Sequence, residues 1–468
     1  MHNKYFYKAI VQVLMMTSLL AGCKKFTEVD TPKNKIDGSL VFQDETSANA
    51  AVLGIYTILN SNALFTGNVS TYVGLSSDEL NRNNPADAYT QLVNNNIATN
   101  NSYTQSIWTG AYNGIAAANA CIDGLNNAAG IAVTRRNQLL GEAKFLRAFC
   151  YFYLVNLYGD VPLLTSGNWQ LYDTCHRSAT TLVYQQVVSD ATEAANSLPA
   201  SYTSGKIRAT KWAATALLAR VKLFQQAWSE AESNATTVIS NSPLNNQPLP
   251  GLNSVFLSGS SEAIWQVQPV SYYKNPQELS LLFSFGQLNY FVTDSLLNAF
   301  EFGDLRKTNW LNATVQSGKT YYYPYKYKAD AYTATTSTEY HTPLRLAEQY
   351  LIRAEARCGQ NNISGAVADL NVVRVRAGLL ALIATGMTTS QCMAAIEQER
   401  RVELFEEWGH RWLDLKRWPA RSGASTRANE VLGIMKGSNW QTTDVLYPIP
   451  AADILLNNNL NPNNPGYN

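Results

Sequence analysis

Histidine is scarce in this sequence, with four residues in 468. His2 stands at the N-terminal end, and His176, His341 and His410 show none of the spacings, such as HExxH, that hold a metal ion. A GxSxG nucleophile elbow is missing too. The stretch SGKT at 317–320 ends like a phosphate-binding loop, but the loop's first glycine would fall at Ala313 and no strand-to-helix context surrounds it. No metal and no cofactor are therefore expected. Charge is also sparse: Lys and Arg number 36 against 35 Asp and Glu, only 15% of the chain is charged, and the formal net charge is +1. Without a basic stripe carrying interleaved aromatics, nucleic acid is excluded as a partner. The six cysteines include no CxxC pair, which excludes a zinc ribbon and a disulfide framework. Cys121, Cys150, Cys175, Cys358 and Cys392 lie mostly in apolar helical patterns and read as small buried hydrophobes, with at most one bridge whose partners the spacing does not identify.

No apolar run reaches the roughly 20 residues that cross a bilayer. The nearest is AIVQVLMMTSLLA, preceded by Lys4 and Lys8, and a basic start with a short apolar centre reads as a secretory signal. Leu20, Ala21, Gly22 and Cys23 resemble the lipobox of bacterial lipoproteins. That resemblance implies removal of residues 1–22, with a lipid such as palmitate on the sulfur of Cys23 and an acylated new amino terminus. Two or more acyl chains anchor a protein stably without spanning the membrane.

What is abundant is apolar and aromatic: 46% hydrophobic residues, 11% aromatics and 26 tyrosines. Over 135–158, Leu139, Ala143, Leu146, Cys150, Tyr153 and Leu157 recur at spacings of four and three, predicting a helix with one buried face that stops at Gly159 and Pro162. Val183, Val187, Ala191, Ala195 and Leu198 predict another that ends at Pro199. The stretch from Thr210 to Ser240 reads as two helices turning near Gln226. Its alanines sit where the helices must approach, as a degenerate tetratricopeptide-like hairpin requires. Tyr153 and Trp212 fall on these periodic faces and read as core. Between about Ser242 and Thr342 prolines, glycines and aromatics crowd together, including YYYPYKY at 321–327, and predict short strands and loops. A second irregular stretch covers 76–104. Helices resume at PLRLAEQYLIRAEARCG and SGAVADLNVVRVRAG, with Gly378 placed to cap, and at SQCMAAIEQERRVELFEEWG. The carboxylates from Glu397 to Glu407 and Asp414 are interleaved with Arg400, Arg401, Arg411 and Arg417. They read as a salt-bridged helix face, with Arg400 and Glu403 at i,i+3, rather than as a catalytic pair.

Several of these stretches resemble one family. PLRLAEQYLIRAEA, AVADLNVVRVRAGL, IEQERRVELFEEWGHRWLDLKRW and YPIPAADILLNNNLNPNNPGY look like SusD/RagB outer-membrane lipoproteins of Bacteroidota. GEAKFLRAFCYFYLVNLYGDVPL and SSDEL at 76–80 resemble the early helix and the approach to the ligand region. The resemblance implies a mainly α fold, a tetratricopeptide-like scaffold of helical pairs with an irregular, loop-rich, partly β ligand-binding insertion. It implies one body over 23–468, with an N-terminal part at about 23–230 and a C-terminal part at about 231–468. It further implies a surface-exposed, non-enzymatic protein that binds a nutrient, most often a glycan and in some members a peptide. Such a protein delivers its ligand to a SusC-like TonB-dependent transporter in the outer membrane. Residues 81–104 lack the tryptophan that starch-binding members place there, which argues against starch.

Aromatics that no helical period claims are the candidates for stacking on a sugar, with polar neighbours for its hydroxyls. In and just before the 76–104 stretch these are Tyr72, Asp78, Asn81, Arg82 and Tyr89, and in the 242–342 stretch Tyr272, Tyr273, Tyr290 and Trp310. The competing expectations are a secreted glycoside hydrolase using Asp78 or Glu79, and a helical scaffold that binds only protein.

Overall fold

The computed structural model describes residues 41–61, 68–83, 87–245, 248–270, 273–284, 287–423 and 425–467. The leader at 1–22, the lipidation site Cys23 and the candidate Tyr272 lie outside them.

Helix α1 (Glu45–Asn60) begins where the Asp44 carboxylate accepts from the Ser47 amide at 3.0 Å. It is followed by α2 (Asn68–Ser76), strand β1 (Leu80–Arg82) and α3 (Asp87–Asn94). The long pair α4 (Ser102–Asn126) and α5 (Val133–Tyr158) comes next, then α6 (Thr180–Ser197), α7 (Lys211–Phe224) and α8 (Trp228–Asn241). Each helix from α4 to α8 packs on the next in sequence, and α1 lies across α4 and α5. The fold is mainly α, a tetratricopeptide-like stack of helical pairs. Gln226, at φ 57°, makes the turn between α7 and α8. Ala213, Ala216, Ala219, Ala231 and Ala235 are wholly buried, so the small side chains do let these helices approach.

The one-face expectation for α5 is too narrow. Every residue from Phe145 to Val155 is buried, because α4, α6 and the insertion cover it on all sides. Arg147 is tolerated there by pairing with Asp190 of α6 at 2.7 Å and with the Asn119 amide oxygen at 2.7 Å.

The insertion leaves the stack after α8. Strands β2 (Ala263–Val267), β3 (Tyr290–Val292), β4 (Leu311–Gln316), β5 (Lys319–Pro324) and β6 (His341–Arg345) form short antiparallel pairs, β2 with β6 and β4 with β5. Trp265 of β2 packs edge-on against Phe145 at 4.8 Å and Phe149 at 5.3 Å, seating the insertion on α5. SGKT falls in the β4–β5 hairpin: Ser317 and Gly318 have φ of 51° and 75°, the left-handed pair that a tight hairpin turn requires.

From β6 the chain enters α9 (Leu346–Gly359), which packs on α8 and so continues the stack across the insertion. Then come α10 (Ile363–Arg376), α11 (Thr389–Glu403), α12 (His410–Arg417), α13 (Arg427–Lys436) and α14 (Ala451–Leu456). Gly378, at φ 80°, ends α10 as its position suggested. At the α8–α9 contact a Cβ on Gly359 would stand 2.7 Å from the Trp228 ring. Gly359→Ala should therefore lower the urea midpoint, by an equivalent of about 1–3 kcal/mol, despite alanine's better helix propensity.

The acidic stretch of α11 differs from its expected form. Glu399, Arg400 and Glu403 are buried, and their partners come from distant segments rather than from the neighbouring turn. Arg400 pairs with Asp414 at 2.7 Å, while Glu403 is held by Arg345 at 2.7 Å, Arg306 at 2.9 Å and Arg376. These are tertiary clamps between the insertion and the C-terminal helices.

Candidate ligand-binding site

Strands β1 and β3, some 210 residues apart in sequence, pair antiparallel with Leu80 opposite Val292, Asn81 opposite Phe291 and Arg82 opposite Tyr290. The ladder is extended by the Thr293 amide donating to the Glu79 carbonyl at 2.9 Å and the Asn83 amide donating to the Asn289 carbonyl at 3.2 Å. It thereby joins the two irregular stretches.

Around it four tyrosines converge from four elements. Tyr89 of α3 stacks on Tyr103 of α4 at 3.8 Å, with 25° between the planes. Tyr72 of α2 meets Tyr103 at 4.7 Å, and Tyr290 of β3 meets Tyr89 edge-on at 5.6 Å. The Arg82 guanidinium lies 4.0 Å from the Tyr89 ring centre and 5.5 Å from that of Tyr290. Its Nε and Nη1 have no hydrogen-bond partner among the described residues. Burial pushes the Tyr72 and Tyr290 hydroxyls well above the ordinary phenol range, so they act as neutral donors and acceptors. Tyr89 and Tyr103 keep part of their surface open. Tyr89 is sandwiched between the Tyr103 ring and the Arg82 guanidinium, so what a sugar can meet here is the open edge of Tyr89 and the open part of Tyr103, with the phenol hydroxyls as hydrogen-bonding groups.

The structure thus brings together Tyr72, Arg82, Tyr89 and Tyr290 of the expected residues, and adds Tyr103. The signal for Tyr103 is Asn101, whose side chain caps α4 by accepting from the Tyr103 and Thr104 amides. A tyrosine in a first turn beside a loop escapes both the loop and the core reading. Asn81 is exposed, and strand alternation sends it to the face opposite Arg82. Tyr273 pairs edge-on with Tyr332 at 5.3 Å, apart from the tyrosine group.

Two expected ligand residues are corrected. Trp310 is fully buried, donates its Nε1–H to the Leu252 carbonyl at 3.0 Å, and carries Lys326 over its ring at 4.6 Å, so it is core. Asp78 is fully buried as well. Burial alone would raise its carboxyl, but Arg411 and Arg401, each at 2.7 Å, hold it well below the usual range. Asp78 is a clamp from the foot of β1 to α11 and α12. Glu79 beside it is 1% exposed.

The fold is thus a stack of helical pairs that carries a loop-built tyrosine cluster. The comparisons with known proteins place it more narrowly. A model of the SusD family matches residues 286–467, and a second, described as starch-binding and associating with the outer membrane, matches 25–223. The chain belongs to the SusD/RagB family. A SusD-like protein of Formosa agariphila is 26% identical over 98% of this chain and 99% of its own length. A SusD-like protein of Bacteroides ovatus is 26% identical over 89% and 83%. Among solved structures, a SusD superfamily protein of Bacteroides vulgatus superposes with a TM-score of 0.79 at 20% identity, covering 91% of this chain and all (100%) of that one. A laminarin-binding SusD-like protein gives 0.72 at 22% identity, again over 91% and 100%. These last two likenesses establish the fold.

Proposed function

We propose that this protein is a non-enzymatic, outer-membrane lipoprotein that binds a neutral oligosaccharide and hands it to a SusC-like TonB-dependent transporter. The observation that carries this reading is the convergence of Tyr72, Arg82, Tyr89, Tyr103 and Tyr290 beside the β1–β3 ladder, where Tyr89 and Tyr103 keep part of their surface open. In support, the related proteins are SusD-like, and one structural neighbour binds laminarin, a glucan. Lipid on Cys23 would tether residues 23–468 at the outer leaflet. The parts 23–230 and 231–468 form one body in this reading, since ion pairs such as Asp78–Arg411 cross between them.

Calorimetric titration with a panel of neutral oligosaccharides, laminari-oligosaccharides first, tests the site. Arg82→Ala and Tyr89→Ala are each expected to weaken binding of whichever sugar binds the wild type by about tenfold or more, with the melting temperature little changed. Undiminished affinity in both variants would remove the platform from the site. Shortening of the sugar during incubation would restore the hydrolase reading.

A further inference from the structure

Helix α3 carries Tyr89 near its start, and just beyond its end lies a cleft of about 420 Å³ that the tyrosine platform does not include. By the rise of a helix, Asn95 at the cleft is about 9 Å along the axis from Tyr89. The cleft's walls are amides and hydroxyls: Asn95, Asn96, Ser438, Asn439, Gln441 and Thr443. Asp444 is the only carboxylate among these lining residues, and it accepts from the Gln441 amide at 2.7 Å. Tyr467 and Ile97 supply apolar surface.

Asn95 is the telling residue. It is 1% exposed, and neither its Oδ1 nor its Nδ2 has a hydrogen-bond partner among the described residues. Its φ of 55° explains why an asparagine is tolerated in the backbone there. It does not explain a buried amide, since glycine would serve the same φ without desolvating a donor and an acceptor. Both atoms lie beneath the cleft surface, and a ligand that both gives and takes hydrogen bonds, as a sugar hydroxyl pair does, satisfies them when the side chain turns into the cleft.

We infer that the Asn95 cleft is a second saccharide subsite, which takes one neutral sugar unit of the same chain that lies on the tyrosine platform. The inference rests on the oligosaccharide reading above. Neutral sugars fit because the lining is mostly amides and hydroxyls, which offer paired donors and acceptors.

The test is a titration of the full mature protein, 15N-labelled at asparagine, with glucose, galactose and laminarihexaose, and with glycerol as a non-ring polyol. The Asn95 side-chain resonances are assigned by their loss in Asn95→Gly, a variant that keeps the left-handed backbone. The expected result is a saturable shift of those resonances with at least one sugar, retained in Arg82→Ala. The midpoint should rise about tenfold in the doubly substituted Asn96→Ala, Asn439→Ala protein, whose changes are on exposed positions. Still Asn95 resonances, with sugar-dependent shifts around Tyr89, would overturn the subsite and leave the platform reading intact. The converse pattern would keep the subsite and sink the platform. Silence at both places overturns both, and an equal response to glycerol overturns the saccharide assignment.

Discussion

Arg345→Met is expected to destabilise the protein by about 4 kcal/mol, or to prevent it from accumulating folded. Arg345 ends β6 and is 1% exposed, and three carboxylates converge on it. Its Nη1 donates to Glu262 and Glu403, both at 2.7 Å, its Nε to Glu407 at 2.7 Å, and its Nη2 to Glu407 at 2.8 Å and to the Glu403 carbonyl at 3.0 Å. Methionine fills much of the volume but leaves those carboxylates with only Arg376, Arg306 and Lys326 to balance them. Removing one partner of a buried ion cluster strands the others in low dielectric, which costs far more than the cluster's net contribution. Urea denaturation followed by tryptophan fluorescence reads the loss. Arg421→Met is the control: its side chain is 49% exposed, and solvent screens its pair with Glu397, so its midpoint should hardly move. If Arg345→Met unfolded within 1 kcal/mol or so of the wild type, the cluster would not be what fastens the insertion to α11.

The same cluster marks where reading the sequence stops. Tyr72, Arg82, Tyr89 and Tyr290 were legible as a group because no helical period claimed them, and an aromatic without a packing assignment is a candidate for binding. The helices were legible because Leu139, Ala143 and Leu146 or Val183, Val187 and Ala191 repeat at helical spacing. Asp78 was not legible as a clamp, since its partner Arg411 lies 333 residues along the chain and no local pattern announces it. Trp310 misled for the same reason. It sits in an irregular segment, yet the segment folds back so that Phe256, Phe405 and Lys326 enclose it. Burial of charge among α11, β6 and the insertion is a property of the tertiary fold. In the sequence it shows only as an alternation of Glu and Arg, and that alternation equally describes a solvated helix.

Glu79→Gln is expected to leave stability unchanged near pH 4 and to raise it at pH 8 by on the order of 4 kcal/mol. Glu79 is 1% exposed; its Oε1 has no partner among the described residues and its Oε2 accepts only the Glu406 amide, at 3.3 Å. Burial, and then the charge on Asp78, push its carboxyl from the usual value of 4.5 up to about 8. The folded protein therefore keeps a proton that the unfolded chain gives up. Between pH 4.5 and about 8 unfolding releases that proton, so the contribution to stability is full below 4.5, falls as pH rises through the window, and levels off above it. Asp78 has the opposite sign: its depressed carboxyl contributes stability that is present above its unfolded value of 3.8 and lost below that. Glutamine copies the protonated form without titrating, so the difference between the two denaturation profiles isolates Glu79 from every other group. Profiles that stay parallel from pH 5 to 8 would show that Glu79 is charged in the folded protein. The consequence reaches the ligand, because the Glu79 carbonyl accepts the Thr293 amide that extends the β1–β3 ladder. If ionising the side chain loosens the strand pair that sets Arg82 over Tyr89, the affinity for sugar proposed above declines from pH 6 to 8 in the wild type and stays level in Glu79→Gln; level affinity in both would separate the carboxyl from the site.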